Sequence, residues 1–413
     1  MKIYQFLSFI IFSFVINFTY AQDGSPSPYS FFGLGDVNFK GTVENLAMGG
    51  INSYTDSIHY NINTPASLST IKYVNFNLAF SNNFYNISDQ NAQKNLSAHN
   101  ISYFSLAIPI GTKWGFAFGI LPVSSSGYRN YTEDNLGVYT FEGSGGNNRL
   151  FLAGAYQLGK NFSVGLEYQY YFGYLMHENS WIPSGVITYT RENNTLDFSG
   201  SSLKLSGLFQ KTLKNYHYIS ASVNYRLATQ FDAEYNQTIR IITLTNNAEI
   251  ITDSEEKPTE KTQINYPFSV DFGWGYGQKN KWYVGTEFSY SDLKDFRNVF
   301  FDPSYITYNS SYGFKLGGIF TPQHNSVLKY YKRISYKAGM FYKNNGMNIN
   351  GEDISDFGIT FGLGLPAIRG ISNLNIGFEL GQRGTLNLVR EQYFNVHIGI
   401  SLNDKWFIKH KIN

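Results

Sequence analysis

The sequence predicts an all-β protein: an antiparallel transmembrane β-barrel of about fourteen strands whose lumen holds an N-terminal plug. Three observations carry this. From residue 73 to the end of the 413-residue chain, apolar residues alternate with small or polar ones, which is the period of a strand with two different faces. Short turns alternate with long polar connections. Aromatic residues make up 18 % of the chain, there are 39 glycines, and only 15 % of residues are charged, as expected where every second strand residue meets lipid. A soluble sandwich would alternate too, with a second sheet in place of lipid.

The opening "MKIYQFLSFIIFSFVINFTYAQ" has Lys2 before an apolar stretch at 6–18 and a small residue, Ala21, before Gln22. It reads as a secretory signal peptide over 1–21, with an N-terminal anchor helix as the competing reading. No cysteine is present, which excludes a disulfide framework, a thiolate metal site and a lipidated cysteine. No later apolar run approaches the roughly 20 residues of a spanning helix. The formal net charge of +2 gives no reason to expect nucleic acid.

Residues 22–70 lack period two and are broken by Gly, Ser, Asn and Pro. Within them "VENLAMGG" predicts a helical turn stopped by Gly49 and Gly50. This stretch is read as a segment packed inside the barrel formed by 71–413. Strands are predicted near 73–80, 99–108, 113–121, 148–157, 161–171, 201–210, 216–227, 266–276, 281–291, 311–320, 333–342, 355–365, 372–381 and 393–406. In the fifth, Phe162, Val164, Leu166, Tyr168 and Tyr170 oppose Ser163, Gly165, Glu167 and Gln169. In the last, Phe394, Val396, Ile398, Ile400, Leu402 and Trp406 share one parity.

The short turns "IGTK", "LGKN", "KTLKNY" and "GQKN" alternate with long connections at 122–147, 172–200, 228–265 and 292–310. Short turns face the periplasm in outer-membrane barrels, which puts both termini there. Trp114 and Trp282 start strands leaving short turns, and Trp274 and Trp406 lie near the ends of strands returning to them. All four fall on the apolar parity and predict an interfacial girdle; core packing is the alternative. Trp181 falls in a long connection. The other parity, carrying Glu167, Asp271, Glu287, Glu379, Arg226, Lys315 and Lys337, predicts a charged lumen.

The stretch "NINTPASLS" at 61–69, preceded by "AMGG", resembles the start of the FadL/OMPP1/TodX family, in which an Asn-Pro-Ala element belongs to an N-terminal hatch plugging a fourteen-stranded barrel. Here Thr64 stands at the Asn position, and Pro65 and Ala66 match. The ending "EQYFNVHIGISLNDKWFIKHK" and "GLGLP" are similar to Bacteroidetes outer-membrane proteins of this group. The resemblance implies a cell outer-membrane channel for passive uptake of hydrophobic molecules, of long-chain fatty acid or aromatic type, with outer-membrane lipid around it. It marks Asn61, Asn63, Thr64, Pro65 and Ala66 as the hatch motif. It also implies a kinked third strand opening the wall; Gly119 and Pro122 are the candidates here, since Pro cannot donate to a ladder. The competing reading is that Pro122 ends the strand.

Aromatic residues of the long connections, among them Tyr128, Tyr131, Tyr139, Phe141, Trp181, Phe231 and Tyr235, could line an apolar ligand site or pack the connections together. The seven histidines show no metal-ligand spacing, and His177–Glu178 reads as a solvated dipeptide. "GSGG" lacks the Lys-Ser/Thr of a phosphate loop, and no nucleophile elbow is present. No catalytic residue, metal or cofactor is expected, and an enzyme is disfavoured. Since FadL-like barrels in Bacteroidetes include accessory subunits, the alternative function is a scaffold within an outer-membrane secretion or protein-assembly complex, with a protein partner.

Overall fold

The computed structural model describes residues 24–245, 248–297, 305–367 and 372–406; the signal-peptide reading and the tail beyond Trp406 lie outside them. Fourteen strands close a single antiparallel ring. They are β2 (Val74–Ser88), β3 (Gln93–Ile110), β4 (Trp114–Ser126), β6 (Gly137–Leu158), β7 (Phe162–Pro183), β8 (Thr188–Thr212), β9 (His217–Arg226), β13 (Ser269–Gln278), β14 (Trp282–Asp292), β16 (Ser310–Phe320), β17 (Ser335–Ile349), β18 (Glu352–Pro366), β19 (Asn373–Arg383) and β20 (Arg390–Asp404). The ring closes where β2 pairs with β20, from Val74↔Asp404 to Ser88↔Arg390. Six more strands lie off the ring: β1 (Asp36–Val37), β5 (Arg129–Glu133), β10 (Thr229–Thr245), β11 (Ala248–Glu256), β12 (Glu260–Tyr266) and β15 (Ile306–Tyr308).

The alternation read in the sequence becomes two surfaces. On β4, Trp114, Phe116, Phe118 and Ile120 are exposed while Ala117 and Leu121 are buried. On β7, Phe162, Val164, Leu166, Tyr168 and Tyr170 are exposed while Ser163, Glu167 and Gln169 are buried. A water-facing sheet would invert this, so the covering medium is hydrocarbon. All seven charges assigned to the lumen side fall on the inward parity, and Glu167, Arg226, Glu287 and Lys337 are buried there. No helix among the described residues is long and apolar enough to cross a membrane, which says nothing of strands.

Three of the four long connections, 122–147, 172–200 and 228–265, are largely strand among their described residues. β6, β7 and β8 run for 22, 22 and 25 residues; at ~3.3 Å per residue each far exceeds the ~25 Å apolar band. The 228–265 stretch, expected as a polar loop, forms β10, β11 and β12, with β10 paired to β8 from Asp232↔Ser199 to Thr243↔Thr188. Polar composition misled here: alternating Thr, Asn and Glu sustain a ladder when a neighbouring strand supplies its edge. For the same reason Trp181, expected in a loop, lies in β7 opposite Thr190, and "GSGG" lies in β6. His177, expected to be solvated, is buried and bonded to the Tyr128 hydroxyl at 2.5 Å.

Most of residues 42–71 are buried, with Met48, Gly49 and Leu68 against inward faces of the ring strands. One helical turn, α1 (Val43–Leu46), is capped by the Thr42 hydroxyl, which accepts from the Asn45 N–H. It is followed by Gly49 at φ +69° and Gly50 at φ +82°, a left-handed exit that suits glycine.

Candidate functional site: the filled lumen and the wall seam

The N-terminal segment presses on the wall at points where the wall has no side chain. A Cβ on Gly317 would lie 2.0 Å from the Met48 carbonyl oxygen, one on Gly339 2.2 Å from the Gly49 nitrogen, and one on Gly115 2.1 Å from the Leu68 carbonyl oxygen. The "small" parity of these strands is therefore the bed of the segment.

Buried charges fasten it. Arg383 on β19 donates to Asp36 Oδ1 at 2.5 Å, to Glu391 Oε2 at 2.8 Å and to the Ser27 hydroxyl at 2.8 Å. Four strands along the ring, on β14, Glu287 accepts from the Asn52 backbone N–H at 2.7 Å, from its side-chain amide at 2.8 Å and from Lys315 at 2.8 Å. Glu44 of α1 lies 3.1 Å from Lys337 and 2.9 Å from His59, which also contacts Asp56 at 2.9 Å. The sequence placed Glu287, Lys315 and Lys337 in the lumen without pairing them. It did not mark Asp36, Glu44, Arg383 or Glu391, whose partners lie up to 364 positions away (Ser27 and Glu391).

Two of these groups set a pH window for docking. Burial alone would lower the His59 imidazole, but the carboxylates of Asp56 and Glu44 raise it to about 10. Burial would raise Glu44, but His59 and Lys337 hold it at about 2. His59 thus stabilises docking fully below its ordinary value of 6.5, and that contribution is lost as pH rises through about 10. Glu44 contributes above its ordinary 4.5 and is lost as pH falls through about 2. Docking is firmest between pH 4.5 and 6.5 by these two groups. Proteinase K cleavage within residues 38–60 of the folded barrel is expected to be faster at pH 10 than at pH 6.

The motif residues sit in this packed interior. Asn61 donates its amide to the Asn52 carbonyl at 3.1 Å, and its own side-chain oxygen accepts from the Asn63 N–H at 2.9 Å. The Thr64 hydroxyl donates to the Asn52 carbonyl at 3.1 Å and accepts from the Asn224 amide of β9 at 3.1 Å. Pro65 opens a 3-10 helix over Pro65–Thr70. Ala66 is fully buried, its N–H donating to Ser206 of β8 at 3.2 Å.

The wall has a seam. β3 pairs with β4 from Ile110↔Trp114 to Phe104↔Ile120 and no further, although β3 continues up along β2 to Ser88↔Gln93. Gly119 is thus still paired, and separation begins at Leu121. On its other edge β4 follows β6 through Pro122↔Asn148, then shifts register before Ser124↔Asn147. The edge of β4 freed from β3 is taken by the N-terminal segment, where β1 pairs Asp36↔Ser125 and Val37↔Ser124. Inside the seam lies a cavity of about 110 Å³, bordered by Val37, Ile101, Tyr103, Pro122, Arg383 and His397.

A second buried apolar cluster joins β7, β8, β10 and β12. Tyr171, Phe198, Phe231 and Ile264 are buried together, and the Tyr266 ring carries the Arg226 guanidinium 4.2 Å from its centroid. Of the aromatic residues expected to line a pocket, Phe231 and Tyr128 are packed and buried, while Tyr131 and Trp181 are exposed. Trp114, Trp274 and Trp406 are half exposed on the outer face toward the short turns, and Trp282 packs edge-on against Tyr276, centroids 5.5 Å apart. Among the described residues no cluster of His and carboxylates could hold a metal ion.

With this geometry in view, the sequence model of the BamG family matches residues 3–413. The chain belongs to the BamG family. No curated protein matches it. Solved structures show where the BamG barrel falls among known folds. It superposes on the Pseudomonas putida toluene transporter TodX with a TM-score of 0.60 at 15 % identity, covering 90 % of this chain and 99 % of that one. The Ralstonia pickettii toluene transporter TbuX gives 0.60 at 11 % identity over 91 % and 100 %. A Pseudomonas aeruginosa FadL homologue gives 0.58 at 10 % identity over 89 % and 98 %. This BamG chain is therefore an outer-membrane barrel of FadL-like fold.

Proposed function

We propose that this barrel serves as an accessory or scaffold subunit of an outer-membrane secretion or protein-assembly complex, with a protein partner. The observation that carries this reading is the filled lumen. The segment is fastened to β19 by Arg383 and to β14 by Glu287, a buried apolar cluster joins β7, β8, β10 and β12, and the seam cavity is about 110 Å³ with Asp36, Glu379 and Arg383 in its lining. Apolar ligand pockets are ~300–1,000 Å³ and mostly greasy. A charged lining disfavours an acyl chain, whose methylenes gain ~0.8 kcal/mol each only in apolar surroundings. The match to the BamG family, whose name points to a protein complex, lends it support. On the turn at 321–334, Val327 and Leu328 are 90 % and 94 % exposed, an apolar contact offered to a partner.

The wall seam favours a second reading, a passive channel for hydrophobic solutes in which 24–70 acts as a movable hatch and ligand leaves beside Pro122. The two readings part on whether the segment must move. Because the chain has no cysteine, Val37→Cys with Ser124→Cys introduces one disulfide between register partners. The subunit reading expects the oxidised variant to migrate in the same high-mass complex as wild type on native gels of the outer membrane. The channel reading expects uptake of toluene or oleate that stops on oxidation and returns with reductant. Such reversible uptake would overturn the subunit reading.

A further inference from the structure

The periplasmic edge of the barrel carries a repeated pair. "TKWGF", "NKWYV" and "DKWFI" put Lys113 beside Trp114, Lys281 beside Trp282 and Lys405 beside Trp406, so three of the chain's five tryptophans follow a lysine at this edge. The turns between them are cationic too, with Lys160, Lys214, Lys279 and Lys329 exposed. Among the described residues of these turns and strand ends, Asp404 is the one carboxylate. The opposite end carries Asp89, Asp134, Asp253, Glu255, Glu256 and Glu352 at its tips. None of the three paired lysines is in an ion pair among the described residues. Lys113 and Lys405 lean on rings instead, 6.0 Å from Tyr156 and 5.6 Å from Tyr73.

The placement specifies the partner. Trp114 and Trp406 are half exposed on the lipid face, the depth at which an indole lies among headgroups. Each lysine is exposed and lies in the turn or chain segment next to its tryptophan, and the ring contacts of Lys113 and Lys405 keep their ammonium groups at the same edge as the indoles. The pairs stand on β4, β14 and β20, spread around the ring rather than gathered on one flank. A protein partner needs one contiguous patch, whereas lipid surrounds the whole perimeter.

We propose that the Lys–Trp pairs form a ring of sites for phospholipids with anionic headgroups in the periplasmic leaflet, each ammonium meeting a phosphodiester and each indole the glycerol region. The ring anchors the barrel's depth and gathers anionic lipid around it.

The test is native mass spectrometry of the detergent-purified full chain, titrated with dioleoyl phosphatidylglycerol or dioleoyl phosphatidylcholine. Wild type is expected to retain the anionic lipid in preference, with the preference shrinking as ammonium acetate rises. Replacing the three lysines by Gln should reduce it by about fivefold per site; Lys→Arg at the same positions should keep it, as should Lys94→Gln with Lys261→Gln at the far end. Equal retention of the two lipids by wild type, or a preference insensitive to salt, overturns the proposal without any variant. So does a preference that survives the triple substitution, or one abolished entirely by Lys281→Gln alone, which would mean a single local site.

Discussion

Arg383→Met is expected to free the N-terminal segment while leaving the barrel closed. Its guanidinium meets Asp36, Glu391 and Ser27 together, and the side chains of Asp36 and Glu391 are at most 10 % exposed. Removing the cation strands two carboxylates in a poorly hydrated site, and breaking a buried pair in this way costs ~3–5 kcal/mol. That corresponds to a shift of the docking equilibrium by roughly 150- to 4,000-fold. The ring does not depend on it, because β19 and β20 are held by backbone pairing from Asn373↔Ser401 to Arg383↔Glu391. Tryptic cleavage after Lys40 should become fast while the barrel keeps its heat-modifiable migration on gels. Adding Asp36→Asn and Glu391→Gln to Arg383→Met should recover much of the protection, since the stranded charges are then gone. Unchanged protection in Arg383→Met would show that the pair does not hold the segment.

The second large effect is steric. Gly317→Ala with Gly339→Ala places two methyl groups 2.0 Å and 2.2 Å from backbone atoms of Met48 and Gly49. No rotamer change relieves a clash with backbone, so the segment must lift. Overpacking costs ~1–3 kcal/mol per site, and the two sites act on the same turn. Gly317 and Gly339 are themselves register partners of β16 and β17, and alanine is tolerated in their ladder. The expected result is a folded barrel with an emptied lumen, read as increased ion conductance in planar bilayers. Gly154→Ala is the control: it points outward, and its methyl would meet only the Phe116 ring at 3.4 Å. Equal conductance in the pair variant and the control would show that the segment does not rest on these glycines.

The ring strands were readable because a lipid-facing strand repeats every two residues. Phe162 to Tyr170 on β7 and Phe394 to Leu402 on β20 are legible from that period alone. The extracellular extensions were not. The half of β8 before Gly200 and the whole of β10 carry no lipid-facing apolar repeat, and their pairing with each other depends on a neighbour rather than on a pattern. The helical turn at Val43–Leu46 and the glycine stop after it were legible as local chemistry.

The sequence by itself determined the two-faced period of each strand and the alternation of short turns with long connections, whereas the tertiary structure decided that the apolar face is the outer wall of a closed ring and not a sandwich core, because closure is the pairing of β2 with β20. Only the tertiary structure decided which inward charges meet. Asp36 with Arg383, Glu44 with Lys337 and Asn52 with Glu287 come from opposite ends of the chain, and no local period encodes a contact across a lumen. It also decided where β3 leaves β4, because a seam is a property of two edges and not of either strand.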